Sequence, residues 1–430
     1  MKQRFIKYIC LNILGELAIS FYILADTFFI AQGIGNKGLT ALNLAIPVFN
    51  LIYGIGLMFG MGSGIRLSIL KIEHKQEEIN QLFTHVLLFG FGIGFLFMLI
   101  ALFFSNKIAL LLGADTAVIH DTNTYLKTIM LFTPAFILNN ALNGLVRNDH
   151  NPALATTAMI IASLMNVLLD YVFIFIFHMG MFGAVFATCL APIIGISILS
   201  LHFIKKKNTF HLSLIHFKPK ILVRISQLGF STMFIEVSTG LVVLLFNKLI
   251  LNISGNIGVA AYGVVCNIWM VCVALFNGLA EGMQPLASEA YGHKDRKSLD
   301  TLRHWALSIS IILSLLIYTG IFFKTGFLTS LFNSSHNTTL AQLASQGFKI
   351  MFIGLFFAGG NIVLSTFFTS IENSKIASMI ILLRGVVLII PIAIILSHIG
   401  MIGIWSSLPL AEVITSIIGL LYLRLKYLKE

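Results

Sequence analysis

Apolar residues dominate this chain in long runs that short polar segments separate. About twelve of these runs reach the roughly 20 residues that a helix needs to cross the hydrocarbon core of a bilayer. Their approximate bounds are 8–30, 41–69, 82–104, 124–146, 157–177, 181–204, 223–251, 257–288, 304–324, 347–370, 376–397 and 401–423. The pattern predicts an all-α integral membrane protein with 12 transmembrane helices, several of them long enough to tilt.

Composition agrees with lipid as the surrounding medium. Hydrophobic residues make up 57% of the chain and charged residues only 10%, against roughly 25% charged residues in soluble domains. The formal net charge of +11 would suit a nucleic-acid partner, but its distribution does not. Twenty of the 28 lysines and arginines fall in alternate polar segments that include both ends of the chain. This asymmetry predicts a multi-pass protein of the cell membrane with both termini in the cytoplasm, and no nucleic acid as partner.

The four cysteines lie within the apolar runs, without the spacing of metal ligands or of a disulfide framework: Cys10, Cys189, Cys266 and Cys272. They are interpreted as small core residues. We therefore expect no cofactor.

Sequence motifs of the first half recur in the second half. Gly35-Asn36-Lys37-Gly38 returns as Gly255-Asn256-Ile257-Gly258, and His178-Met179-Gly180 returns as His398-Ile399-Gly400. Both motifs return after the same number of residues, which is the separation in sequence between Gly35 and Gly255. We call this separation the repeat offset. Because six helices is an even number, the two halves enter the membrane in the same orientation. The chain is therefore expected to contain a parallel repeat: an N-lobe (1–204, helices 1–6), a cytoplasmic linker (205–222) and a C-lobe (223–430, helices 7–12).

Ionisable residues inside apolar spans are candidates for function, because burying charge in lipid is costly. Three polar residues have apolar counterparts at the repeat offset: Asp26, Asp170 and Thr188. All three are expected at a similar depth near the outer surface of the membrane. Asn166 lies on the same face of its helix as Asp170 and joins this group. These oxygens suit Na⁺, and two neighbouring carboxylates equally suit a proton. The alternative is that they are independent hydrogen-bonded residues near helix ends.

The C-lobe carries a second, deeper set of charged residues: Glu236, Glu281, Arg384 and Glu412. An acidic cavity wall lined by some of the 37 phenylalanines would favour cationic amphiphiles. Alternatively, Arg384 and one glutamate form a buried structural ion pair. The sequence leaves both alternatives open.

Several motifs resemble the multidrug and toxic compound extrusion (MATE) family over nearly the whole chain. They are Ala25-Asp26-Thr27-Phe28-Phe29-Ile30-Ala31, Ala45-Ile46-Pro47, Asn166-Val167-Leu168-Leu169-Asp170-Tyr171, Gly183-Ala184-Val185-Phe186-Ala187-Thr188, and Gly282-Met283-Gln284-Pro285-Leu286 through Tyr291-Gly292. The resemblance implies two six-helix lobes that form a V around a central cavity, and export of organic cations and drugs against inward H⁺ or Na⁺ flow.

The same resemblance places Asp26, Asn166, Asp170 and Thr188 in the coupling-ion site. It also makes Glu236 similar to an acidic residue of the seventh helix in some members. One departure is the first span, 8–30, which lacks the proline whose kink is tied to coupling in some members.

These observations predict a cation-coupled antiporter that exports drugs by alternating access as a monomer, and so contributes to drug resistance. One rival is a lipid-linked oligosaccharide flippase of the same superfamily, which would need a basic cavity for pyrophosphate; the chain offers only Arg384 and Lys248 for it. A membrane enzyme is a second rival, but the sequence shows no catalytic constellation at membrane depth. A non-transporting scaffold would leave the one-sided carboxylates unexplained.

Overall fold

The computed structural model of the chain describes residues 1–114, 116, 118–213, 218–332 and 338–424. Regular structure in these ranges is entirely helical. The N-terminal half contains α1 (Lys2–Gly33), α2 (Asn36–Ile72), α3 (Gln76–Leu111), α4 (Ile119–Leu131), α5 (Thr133–Asn148), α6 (Pro152–Tyr171), α7 (Gly180–Leu199) and α8 (Leu201–Ile204). The C-terminal half contains α9 (Pro219–Gly292), α10 (Arg296–Phe332), α11 (Thr338–Met351), α12 (Leu355–Ser370), α13 (Ser374–Leu382), α14 (Ile389–Ser397) and α15 (Met401–Tyr422).

The apolar runs of the sequence form membrane-length helices. Eleven helices of the described chain are long and apolar enough to span, and α4 with α5 makes a twelfth span bent by 49°. Helix α9 supplies two spans because Gly255 interrupts its helical backbone. The prediction of twelve spans is therefore confirmed, and most helices extend beyond the apolar run by several residues.

The fourth and fifth spans of each lobe contain irregular turns, which lie at equivalent positions in the fourth spans but not in the fifth. Span four bends after Phe132, because Pro134, the second residue of α5, cannot donate a backbone hydrogen bond to the preceding turn. In the C-lobe a 3₁₀ turn, Phe352–Gly354, joins α11 to α12, and Phe352 is the counterpart of Phe132 at the repeat offset. The fifth spans each contain a π turn, Val172–Ile176 and Leu383–Val387.

Backbone conformation repeats between the lobes as well. Left-handed residues recur at the repeat offset, or within two positions of it, in four pairs: Gly35 and Gly255, His74 and Lys294, Gly180 and Gly400, and His150 and Glu372. At Gly35 and Gly255, φ is +83° and +60°, which glycine adopts without a steric penalty. The residue type differs between His74 and Lys294 and between His150 and Glu372, although the backbone conformation is the same. The turn geometry is therefore more similar between the lobes than the sequence is.

Helix α2 packs closely along α5 because glycines face each other across the contact. A Cβ atom on Gly60 would lie 2.5 Å from the Asn140 carbonyl oxygen, and one on Gly144 would meet the Gly60 backbone. Small residues let two membrane helices approach to backbone contact. Beside this contact lies an apolar core to which α2, α4 and α7 contribute, with Ile52, Ile129 and Val185 among its members.

The chain divides into two compact units. One comprises Ile6–Val237 and Ser288–Asp295, and the other comprises Met1–Phe5, Ser238–Ala287 and Arg296–Glu430. Each unit contains one of the polar clusters described next. The lobe boundaries drawn from the sequence remain a prediction.

Candidate functional site

The N-lobe brings four polar side chains predicted from the sequence into one buried region. Asp26 lies on α1, Asn166 and Asp170 on α6, and Thr188 on α7. Their exposed fractions are 8% for Asp26, 0% for Asn166 and Asp170, and 4% for Thr188. Asp170 stands one residue before the end of α6, next to the π turn, so an irregular backbone segment adjoins the carboxylate. π turns are frequent at functional sites.

Asn166 connects the two helices of this cluster. In the amide orientation that satisfies both neighbours, its Nδ2 donates to Asp170 Oδ2 at 3.2 Å and its oxygen accepts from the Thr188 backbone N–H at 3.3 Å. The Thr188 hydroxyl donates to the Ala184 carbonyl at 3.3 Å. Asn166 therefore orients Asp170 and leaves part of that carboxylate available to another ligand.

Neither carboxylate has a basic partner. In the described part of the chain, no lysine, arginine or histidine pairs with Asp26 or Asp170, and no protein group donates to Oδ1 of either residue. Asp26 and Asp170 are close enough for their charges to act on each other. Two buried carboxylates that repel each other favour the uptake of a proton or a metal cation.

Two tyrosines that the sequence interpretation passed over belong to the same region. Tyr22 on α1 and Tyr125 on α4 lie within electrostatic range of Asp26 and Asp170. A tyrosine within an apolar span resembles an ordinary core residue, which is why both were missed. The repeat held a usable signal, since their counterparts at the repeat offset are Val242 and Ser345, so these tyrosines are specific to one lobe.

The C-lobe places Arg384 and Glu412 in a bidentate ion pair. Arg384 donates from Nη2 to Glu412 Oε1 at 2.7 Å and from Nε to the same oxygen at 3.1 Å. Asn361 Nδ2 donates to Glu412 Oε2 at 2.7 Å, and the Ser416 hydroxyl donates to Asn361 Oδ1 at 2.9 Å. The sequence left two alternatives open for the C-lobe charges, an acidic cavity wall and a buried structural ion pair. The geometry of Arg384 and Glu412 is that of the buried ion pair.

The other two acidic candidates lie elsewhere. Glu236 belongs to the unit that contains the N-lobe cluster, and its backbone carbonyl accepts from Asn50 Nδ2 at 3.4 Å. Glu281 belongs to the other unit and is partly buried. The four charged residues predicted for the C-lobe therefore do not form one cluster in the structure.

A further charged cluster, not predicted from the sequence, surrounds Asp149 just after α5. The buried carboxylate accepts from Lys71 Nζ at 2.7 Å, from His202 Nε2 at 2.9 Å, and from the Thr209 backbone and hydroxyl at 2.9 and 2.6 Å. Burial by itself would raise the pKa of Asp149, but the bonds from His202, Lys71 and Thr209 outweigh it and hold the pKa well below its usual range. The cluster anchors the first residues of the linker between lobes.

The described residues contain no group of three or more histidine, cysteine, aspartate or glutamate side chains that could hold a metal ion. A Na⁺ ion in the N-lobe cluster would therefore depend on the two carboxylates with amide and hydroxyl oxygens, which are hard ligands.

Two repeated six-span halves, with unpaired carboxylates at membrane depth in one of them, are features of a secondary transporter. The MatE family profile matches residues 12–172 and 230–395. Since the match covers most of the chain, the protein belongs to the MatE family.

Curated relatives align over almost the full length. The Multidrug export protein MepA of Staphylococcus saprophyticus is 26% identical over 416 residues, covering 96% of this chain and 91% of the relative. Its Staphylococcus aureus MRSA252 counterpart is 25% identical with the same coverage.

Solved structures share the fold. An outward-facing multidrug resistance MATE transporter of the MOP superfamily superposes with a TM-score of 0.92 at 22% identity, over 99% of this chain and 95% of its own. A MOP superfamily transporter from Pyrococcus furiosus, whose reversed binding-pocket polarity suggests a different function, also superposes with a TM-score of 0.92, at 21% identity over 100% of this chain and 97% of its own. The all-α fold of 12 spans is thus that of MATE transporters.

Proposed function

We propose that this protein is a multidrug exporter of the cell membrane that couples the exit of organic cations to the entry of H⁺ or Na⁺. The observation that carries the proposal is the pair of buried carboxylates, Asp26 and Asp170, which no basic side chain of the described chain neutralises. The similarity to MepA proteins, which are named multidrug export proteins, supports export rather than enzymatic chemistry.

The coupling cycle follows from the charge balance at this cluster. In the outward-facing state, Asp26 and Asp170 bind the ion with the help of Asn166 and Thr188. Binding removes the repulsion between the carboxylates, which favours a different packing of α1 against α6 and promotes release of the drug. Inward opening then discharges the ion. An ion can drive this change only through different affinities for the two states.

Drug recognition is assigned to acidic side chains that attract organic cations. We propose this role for Glu236 and Glu281, with aromatic side chains that attract cations through their faces. Glu412 is a weaker candidate because Arg384 already compensates its charge. Both termini are expected in the cytoplasm, and the transporter is expected to act as a monomer.

The deciding experiment is efflux of ethidium from proteoliposomes with a pH gradient or a Na⁺ gradient imposed separately. Export under one gradient, lost in Asp170→Asn, identifies both the activity and the coupling ion. Asp121→Asn, which alters a partly buried aspartate in the first turn of α4, serves as the matched control and should transport normally. Folded protein that moves no cationic dye under either gradient would contradict the proposal and favour the lipid flippase.

A further inference from the structure

Each lobe buries a carboxylate, an amide and a hydroxyl, but on different spans and at positions that do not correspond at the repeat offset. In the N-lobe, Asp170 and Asn166 lie on span five and Thr188 lies on span six. In the C-lobe, Asn361 lies on span four, and Glu412 and Ser416 lie on span six. The C-lobe set also contains a basic residue, Arg384, whose counterpart in the N-lobe is Leu164.

Every group of the C-lobe set has its partner. Arg384 is the only charged residue of the described chain that bonds to Glu412, and it covers one carboxylate oxygen with two N–H groups. Asn361 covers the other oxygen and also donates to the Glu412 carbonyl at 2.9 Å. The exposed fraction of Glu412 is 3%, so the carboxylate is almost entirely buried.

The position of Arg384 follows from the π turn Leu383–Val387. This segment widens the helix by one residue per turn, and Arg384 is its second residue. The C-lobe pair lies deeper than the N-lobe cluster, because the position equivalent to Asp170 is Ile390, six residues or about 9 Å further along the span.

We propose that Arg384 is a resident cation: its guanidinium takes the place of a mobile cation at the Glu412 carboxylate, which Asn361 and Ser416 help to hold, so that the coupling ion binds only in the N-lobe. The inference rests on the proposed cation coupling. It assigns to the C-lobe a site for a small cation, Na⁺ or H⁺, that the protein keeps occupied by a tethered charge.

The physical basis is the cost of a buried charge. A carboxylate in this environment needs a positive partner or a proton, since leaving it ionised and alone costs far more than pairing it. A positively charged partner that belongs to the chain cannot leave the site. It stabilises the lobe, but it cannot move across the membrane down an ion gradient. A partner from solution can leave, and only such a partner can couple transport.

Removal of Arg384 should therefore convert the C-lobe into a cation site. The parent for this test is Asp26→Asn/Asp170→Asn, in which the N-lobe cluster no longer binds an ion. Arg384→Met and Glu412→Gln are added to the parent, each alone and both together. Arg303→Met is the matched control, because Arg303 is also a buried C-lobe arginine but pairs with Asp300.

Thermal unfolding of each purified variant is followed in detergent while Na⁺ replaces choline at constant ionic strength. Infrared spectroscopy reports whether a protonated carboxylic acid appears. Addition of Arg384→Met should produce either a rise of about 1–3 °C in Tm with about 150 mM Na⁺ or a new protonated-acid band. Addition of Glu412→Gln should abolish both signals, and the parent and Arg303→Met should show neither.

Two results would overturn the assignment. One is a Na⁺ response of the parent that disappears with Glu412→Gln, since the C-lobe would then bind a cation beside Arg384. The other is an Arg384→Met variant with neither signal, since Glu412 would then need no cation. If this variant cannot be purified, recovery of expression by adding Glu412→Gln supports the assignment, and continued loss opposes it. None of these measurements requires transport, so they are independent of whether the proposed export is correct.

Discussion

The buried polar clusters of the two lobes differ in where their positive charge comes from. In the C-lobe, Arg384 compensates Glu412 within the chain. In the N-lobe, Asp26 and Asp170 share a site in which the described chain provides no basic partner. Under the proposed function, internal compensation stabilises one lobe, whereas the uncompensated charge of the other lobe makes that lobe respond to ions from solution.

The frame around these clusters is otherwise similar. On the side that the charge distribution predicts to be cytoplasmic, Asn151 Nδ2 lies 3.2 Å from His202 Nδ1, and Asn373 Nδ2 donates to the Tyr422 hydroxyl at 3.4 Å. The two pairs are equivalent, since their members correspond at the repeat offset or within two positions of it. The N-lobe pair also adjoins Asp149, whose counterpart two positions beyond the repeat offset is Ile371. The two lobes therefore differ in charge beside an otherwise similar pair of polar residues.

The largest expected effect comes from replacing Asp170 with Asn. The amide keeps the shape of the side chain but cannot take up a proton or supply the negative charge that a cation needs. Gradient-driven ethidium efflux should fall to background while the amount of protein in the membrane stays normal. Near-normal efflux in this variant would remove Asp170 from the coupling site.

Glu412→Gln should act on stability instead. It leaves the Arg384 guanidinium buried beside a neutral amide, and the loss of one partner of a buried pair costs about 3–5 kcal/mol. Thermal unfolding should therefore occur at a clearly lower temperature, and Arg384→Met/Glu412→Gln should recover most of the loss.

The same experiment on the N-lobe should give the opposite sign. Asp26→Asn removes one of two repelling carboxylates, so its unfolding temperature should equal or exceed that of the wild type. A clear destabilisation by Asp26→Asn, or none by Glu412→Gln, would contradict the distinction between the lobes.

Asp149 should make the stability of the N-lobe depend on acid pH. Its pKa in the folded protein is depressed, so its contribution is present above the unfolded-state pKa of about 4 and is lost as the pH falls through the folded-state pKa. The contribution is on the order of 2–3 kcal/mol. Unfolding temperatures measured from neutral to acid pH should fall more steeply for the wild type than for Asp149→Asn. Parallel curves would show that the His202 and Lys71 contacts contribute little.

The smallest effect is expected from Tyr125→Phe, which removes one hydroxyl from the N-lobe cluster. The described structure shows no hydrogen bond from this hydroxyl to Asp26 or Asp170, so the expected loss is at most that of one hydrogen bond, about 0.5–1.5 kcal/mol, or a roughly 2- to 12-fold weaker apparent affinity for the coupling ion. The measurement is the dependence of efflux rate on ion concentration. Tyr171→Phe, at the half-exposed end of α6, is the control, and equal effects of both variants would exclude a specific role for Tyr125.

The sequence alone determined the features that depend on local composition. Apolar runs fixed the number of spans because each helix satisfies its own backbone in lipid, and motifs returning at a constant offset revealed the repeat. Asp26 and Asp170 were identifiable because a carboxylate in an apolar run, absent from the other half, is conspicuous without knowledge of its neighbours.

Only the tertiary structure decided which groups meet. Arg384 and Glu412 lie on different spans, and the sequence offered Arg384 several glutamates as partners. Asp149 joins Lys71, His202 and Thr209, which are all distant along the chain. Such pairings depend on helix rotation and on local breaks such as the two π turns. Because these arise from packing between helices, no pattern within a single apolar run encodes them.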